Sequence, residues 1–209
     1  MEMLSPLEQR VIGCLIEKQV STPEVYPLTF KSLLNACNQK SNRQPVMSIS
    51  EAELQVALDS LSARHLVNNC ADFNSRTAKY QHRFCNTEFG DLQLTAAELA
   101  IVCELLLRGP QTMGELRSRT PRLHAFSDVS SVEASLHSLI TQGPYVAKLA
   151  KLPGKRDARF AHLFADVDYE QYVDTGNSQD NQALFEQVEA LKAHIIELQA
   201  RIQELEQEE

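Results

Sequence analysis

Apolar positions fall in a helical rhythm that occurs twice. After Ser5-Pro6-Leu7-Glu8, the residues Val11, Ile12, Leu15 and Ile16 form one broad face of an amphipathic helix. After Thr95-Ala96-Ala97-Glu98, the residues Ile101, Val102, Leu105 and Leu106 repeat that face at an offset of 90. Both openings read as capping boxes, in which the hydroxyl reaches the amide three residues on and the Glu reaches back. A second helix is predicted from about Thr29 to Asn38, with Phe30, Leu33, Leu34 and Cys37 inward. Its counterpart opens at another capping box, Thr112-Met113-Gly114-Glu115, and runs to about Arg119, where Pro121 stops it. In the third helix Leu54, Leu58 and Leu61 align with Val132, Leu136 and Leu139 at an offset of 78. The first half therefore carries twelve extra residues between its first and third helices.

Each third helix is followed by two alternating segments around a turn, roughly 66–71 with 78–84 and 145–152 with 157–164. Pro153-Gly154 suits a tight turn, and period-two alternation marks the flanks as strands. The expected fold is mainly α with small β-hairpins (α+β). It consists of two tandem winged helix-turn-helix domains, 1–90 and 91–164, a polar linker at 165–182 and a C-terminal heptad helix at 183–209.

In that last segment Leu184, Val188, Leu191, Ile195, Leu198, Ile202 and Leu205 alternate steps of four and three. With Leu at d, Val188, Ile195 and Ile202 fall at a, a combination that favours parallel two-stranded coils. Arg201 at g then faces Glu206 at e of a partner chain. The expectation is a homodimer through this helix. Packing back onto the body and fraying as an acidic tail are the alternatives, because three heptads are short for an autonomous coil.

Charge changes the picture once it is divided. The whole chain carries −8, yet residues 165–209 hold 12 acids and 2 bases, while residues 1–164 hold 16 acids and 18 bases. The acidity belongs to the tail. A body this near neutrality lacks the strongly basic character of a high-affinity nucleic-acid binder. Seven glycines are few for the loops of nucleotide folds. The first residues lack a basic flank and apolar core, and no apolar run approaches the roughly 18 residues of a membrane span. A cytoplasmic protein is expected. Five cysteines without a Cys-x-x-Cys pair read as reduced core thiols. Zinc on His65, Cys70, His82 and Cys85 is disfavoured, since His82 and Cys85, three apart in a predicted strand, would face opposite ways.

Several strings are long enough to carry a resemblance. Thr22-Pro23-Glu24-Val25-Tyr26-Pro27-Leu28-Thr29, Asn35-Ala36-Cys37-Asn38-Gln39-Lys40 and Asn42-Arg43-Gln44-Pro45-Val46 are similar to the bacterial YceH family of tandem winged-helix proteins. Gly109-Pro110-Gln111-Thr112, Thr120-Pro121-Arg122-Leu123 and Pro144-Tyr145-Val146 extend the likeness over about 5–164. The resemblance implies the tandem fold and a cytoplasmic bacterial protein. It implies no activity.

No phosphate-cradling glycine loop, His-Glu-x-x-His or Gly-x-Ser-x-Gly occurs. A non-enzymatic protein without cofactor or metal is expected. Winged helices usually read DNA with the third helix. Here that helix begins with Glu51 and Glu53 in one half and has no Lys or Arg in the other until its end. The candidate residues lie elsewhere: Lys40, Asn42 and Arg43 in the extra loop, Arg117, Arg119 and Arg122 at the end of the second half's helix two, and Lys148, Lys151, Lys155, Arg156 and Arg159 on the second wing. These are the candidate contacts to phosphates of double-stranded DNA. The competing expectation is a protein-interaction module whose partner is another protein.

Overall fold

The computed structural model describes residues 3–70, 77–151 and 157–165. The heptad residues Leu184 to Leu205 and the hairpin residues Lys155 and Arg156 lie outside them.

The first half is built from α1 (Pro6–Ser21), a 3-10 turn, β1 (Leu28–Thr29), α2 (Phe30–Cys37), α3 (Glu51–Ala63), β2 (Val67–Asn69) and β3 (Lys79–His82). The second is built from α4 (Ala96–Arg108), α5 (Met113–Arg119), α6 (Val129–Thr141), β4 (Val146–Lys148) and β5 (Phe160–His162). Capping boxes at Ser5, Thr95 and Thr112 start α1, α4 and α5. Ser50 and Asp128 start α3 and α6 in the same manner. A local signal thus fixes each of these helix starts, because the cap satisfies amides that the helix leaves unpaired. The result is a mixed α+β chain of six described helices and two small antiparallel sheets.

The hairpins pair Val67 with His82 and Val146 with His162. The first sheet gains a third strand that the alternation did not reveal: β1 pairs Leu28 with Tyr80, giving the order β1-β3-β2. In the second half an isolated bridge between Gln111 and Phe160 takes that place. β3 stops at His82, earlier than the predicted strand, so Cys85 lies beyond it and both side chains are buried. The opposite-faces argument for those two residues does not hold.

The halves share one core, through α1 against α4. Gly13 sits where a Cβ would lie 2.8 Å from Leu107 Cδ2, so the helices meet at a point where an added side chain would have to displace Leu107. A mid-helix glycine costs roughly 1 kcal/mol relative to alanine, and close backbone approach is what the chain gains for it.

Candidate functional site

The twelve extra residues form a clasp between the halves. Arg43 is 5% exposed and points inward. It donates through Nη2 to Glu17 Oε2 at 2.6 Å and to Gln39 Oε1 at 2.8 Å. Through Nη1 it donates to Glu17 Oε1 at 3.1 Å and Asn42 O at 2.9 Å, and through Nε to Ala36 O at 3.1 Å. Burial lowers its pKa, but the Glu17 carboxylate outweighs that and raises it well above the usual arginine range. Asn42, in the left-handed region at φ 58°, accepts from Arg108 of α4. Gln44 N donates to Leu107 O at 2.9 Å, and the buried Arg10 donates to Pro45 O at 2.6 Å. Arg43, expected to grip phosphates, is therefore turned into the protein, while Asn42, of which the same was expected, is half-buried and holds Arg108. The Arg43 donors and the Asn42 side-chain oxygen are used in holding the loop against both halves. Of that loop's candidates, Lys40 is the one left exposed.

In the second half, Arg119 and Arg159 converge on one carboxylate. Glu115 lies 3.4 Å from Arg119 Nη2 and 3.2 Å from Arg159 Nη1. Arg119 also donates to Gln111 Oε1 at 2.8 Å and Arg159 to Pro110 O at 2.6 Å. Burial raises the Glu115 carboxyl, yet the Thr112 amide and the two arginines hold it below its ordinary value. Arg117 donates to Ser127 O at 3.1 Å. Arg122, Lys148 and Lys151 are exposed. Among the described residues, Arg43, Arg119 and Arg159 are tied into internal hydrogen bonds and ion pairs, while Lys148 and Lys151 stand exposed on one hairpin.

A different feature is built on α3. A groove of about 630 Å³ runs between α3 and the start of α1, lined by Met3, Leu7, Ala52, Val56 and Ala57, with Glu53, Ser60 and Arg64 along it. Val56 is 69% exposed and Met3 54% exposed. At its base Glu8 accepts from Ser60 Oγ at 2.7 Å and pairs with Arg64 Nη2 at 3.1 Å. Burial pushes the Glu8 carboxyl up, while the Ser5 and Ser60 hydrogen bonds and Arg64 hold it below the usual carboxylate range. The exposed surface of α3 carries Glu51, Glu53 and Asp59, of which Glu53 lines the groove, and the first base after Glu51 is Arg64, which also lines it. The repeat alignment places Gln93, Ala97, Ser130 and Ala134 of the second half where Met3, Leu7, Ala52 and Val56 stand in the first. The fold does not require the groove, since its duplicate replaces the large apolar side chains by small or polar ones. Sequence reasoning missed it. The available signal was Val56, an apolar residue off the stripe Leu54-Ala57-Leu58-Leu61 that faces the core.

A second, polar cleft of about 240 Å³ lies between the halves, with Asn42, Glu104, Arg108, Arg119 and Arg122 on its walls. Burial raises the Glu104 carboxyl, and Arg108 Nε stands 2.9 Å from it. Among the described residues no three His, Cys, Asp or Glu side chains stand together as metal ligands, and no helix is long and apolar enough to cross a membrane.

Comparison with known proteins agrees with the resemblance read from the sequence strings. A family model described as "Protein of unknown function, DUF480" matches residues 4–155. A UPF0502 protein of Aeromonas hydrophila is 54% identical over 213 residues, covering 98% of each chain. A UPF0502 protein of Klebsiella pneumoniae is 51% identical, covering 97% of this chain and 95% of its own. One of Vibrio cholerae is 58% identical over 183 residues, covering 86% and 83%.

Proposed function

We propose that this chain, which belongs to the DUF480 (UPF0502) family, is a non-enzymatic protein-docking module made of two winged helices in tandem. Each half supports that reading with three helices and an antiparallel hairpin in the same order. The observation that carries the docking role is the apolar groove on α3, whose Met3, Leu7, Ala52 and Val56 correspond to Gln93, Ala97, Ser130 and Ala134 in the second half. Exposed Val56 and Met3 have no role in the core, and contiguous apolar surface of this kind marks interaction sites. The carboxylates on α3 oppose a phosphate backbone and suit a protein surface.

Affinity capture from lysate of a related bacterium, with and without nuclease, tests the reading. A partner retained after nuclease by the native chain and lost by Val56→Asp, with an unchanged melting temperature, is the expected result. Partners that vanish with the nucleic acid would sink it.

One observation favours DNA binding as the second reading: Lys148 and Lys151 stand exposed on the hairpin of the second half. With Lys155 and Arg156, which follow in the sequence, they would touch phosphates without reading bases. A salt titration of duplex affinity decides this. Replacing Lys148 and Lys151 by Ala should lower the salt slope by about 2 if both contact phosphates, and leave it unchanged otherwise.

A further inference from the structure

We infer that the groove on α3 is the seat of the chain's own heptad segment, 184–205, which covers it and competes with the external partner. The inference rests on reading the groove as a docking surface, and it assigns that surface an internal occupant.

The first ground is where the described chain leaves the body. Leu4 N donates to Phe164 O at 2.7 Å, so residue 165 departs beside Met3 and Ser5, at the rim of the groove. From there 18 residues, 166–183, lead to Leu184. Fully extended they could span roughly 60 Å, well beyond the distance needed to return to α3. The second ground is length. α3 has 13 residues and is about 20 Å long, so it can seat about two of the segment's three heptads.

Charge is the third ground. Within 184–205 the positions flanking the apolar stripe are Phe185, Lys192 and Gln199 on one side and Gln187, His194 and Arg201 on the other. The segment's two bases thus both border the stripe, while Glu186, Glu189, Glu197 and Glu204 lie away from it. A stripe bordered by bases fits a groove whose charged lining is Glu8, Glu53 and Arg64, with a net charge of −1. Mass action favours the same chain as the source. A tether of this order gives an effective concentration near millimolar, about a thousandfold above a micromolar second copy. A three-heptad coil would have to be tighter by that factor to prevail.

The test places the photo-reactive residue p-benzoylphenylalanine at Val56 of the full chain, followed by irradiation and peptide mapping. The expected result is a cross-link from position 56 to 184–205 within one chain, with a yield that is unchanged on fiftyfold dilution. Leu191→Asp with Ile195→Asp should lower that yield at least tenfold while the body keeps its melting temperature. A link joining two chains, or none to this segment, overturns the inference. The two readings fail separately. If the internal link forms but the Leu191→Asp, Ile195→Asp chain captures no nuclease-resistant partner, the tail seat stands and the docking role falls. If capture depends on Val56 but no internal link forms, the docking role stands and the tail seat falls.

Discussion

Cys103 donates its thiol to the Gly13 carbonyl at 3.4 Å, and the two residues hold the same position of the repeat, 90 apart. The first helices of the two halves therefore meet at equivalent points, as a pair related by a pseudo-twofold axis would. Both residues are fully buried in one continuous core. The first half alone would leave that face of α1 in water.

The joint should be intolerant of added volume at Gly13. Its Cβ would stand 2.8 Å from Leu107 Cδ2, 2.9 Å from Cγ and 3.3 Å from Leu106 Cβ. Overpacking costs about 1–3 kcal/mol, against roughly 1 kcal/mol gained by replacing a mid-helix glycine. Gly13→Ala should lose about 1 kcal/mol in urea unfolding, and Gly13→Val should lose more than 2. A Gly13→Ala protein more stable than the native one would show that the helices separate without cost.

Arg43 gives the next prediction. Its guanidinium is buried and paired to Glu17 at 2.6 Å, with the Ala36 and Asn42 carbonyls and the Gln39 side chain taking further donors. Removing one partner of a buried pair costs about 3–5 kcal/mol because the other charge is stranded. Arg43→Met should destabilise by that order, and adding Glu17→Met should recover part of the loss. In a duplex-binding assay Arg43→Lys should leave the salt slope unchanged, since this residue faces away from solvent.

What the residues revealed in advance follows from how local each signal is. Capping boxes at Ser5, Thr95 and Thr112 need four consecutive residues, so the helix starts were legible. The pairing of Leu28 with Tyr80 spans half the first unit and involves two residues, too few to alternate visibly. Arg43 reads as a solvated loop base because composition cannot show that the extra residues fold back onto Glu17 and α4. Val56 was legible in principle as an apolar residue on a polar face, but only its neighbours Met3 and Leu7 turn it into a groove. The heptad residues and the tip of the second hairpin lie outside the described residues.

The repeat also duplicates a buried carboxylate with a hydroxyl donor. Ser60 Oγ donates to Glu8 at 2.7 Å, and Ser138 Oγ donates to Glu98 at 2.6 Å. Burial raises the Glu98 carboxyl, while the bonds from Ser138 and Thr95 hold it below its ordinary value. Arg64 supports Glu8 as well, whereas the aligned position in the second half is Gln142. A hydrogen bond to a charged group contributes about 1.5–3 kcal/mol. Ser138→Ala should fall in that range, Ser60→Ala below it, and the double variant should be additive within about 0.5 kcal/mol. Equal losses would mean that Arg64 does not share the Glu8 charge.

The last prediction concerns acid. His82 and His162 occupy matching positions of β3 and β5, and burial pushes both down from 6.5 to about 4. His82 Nε2 lies 2.6 Å from Gln19 Oε1, which suits a neutral ring donating from Nε2. A histidine depressed in the folded state binds its proton more readily when unfolded, so stability is full above about pH 6.5 and falls as pH drops towards 4. Each shift corresponds to about 3 kcal/mol over that window. Glu8, Glu98 and Glu115, held below 4.5, add their own loss only at lower pH. Glu104, raised by burial, takes up a proton in the folded state and works the other way. Urea midpoints measured from pH 7 to pH 4.5 should therefore decline, and the decline should shrink by about half in His82→Gln or His162→Gln alone. A flat profile across that range in the native chain would mean that the two imidazoles reach water in the folded protein.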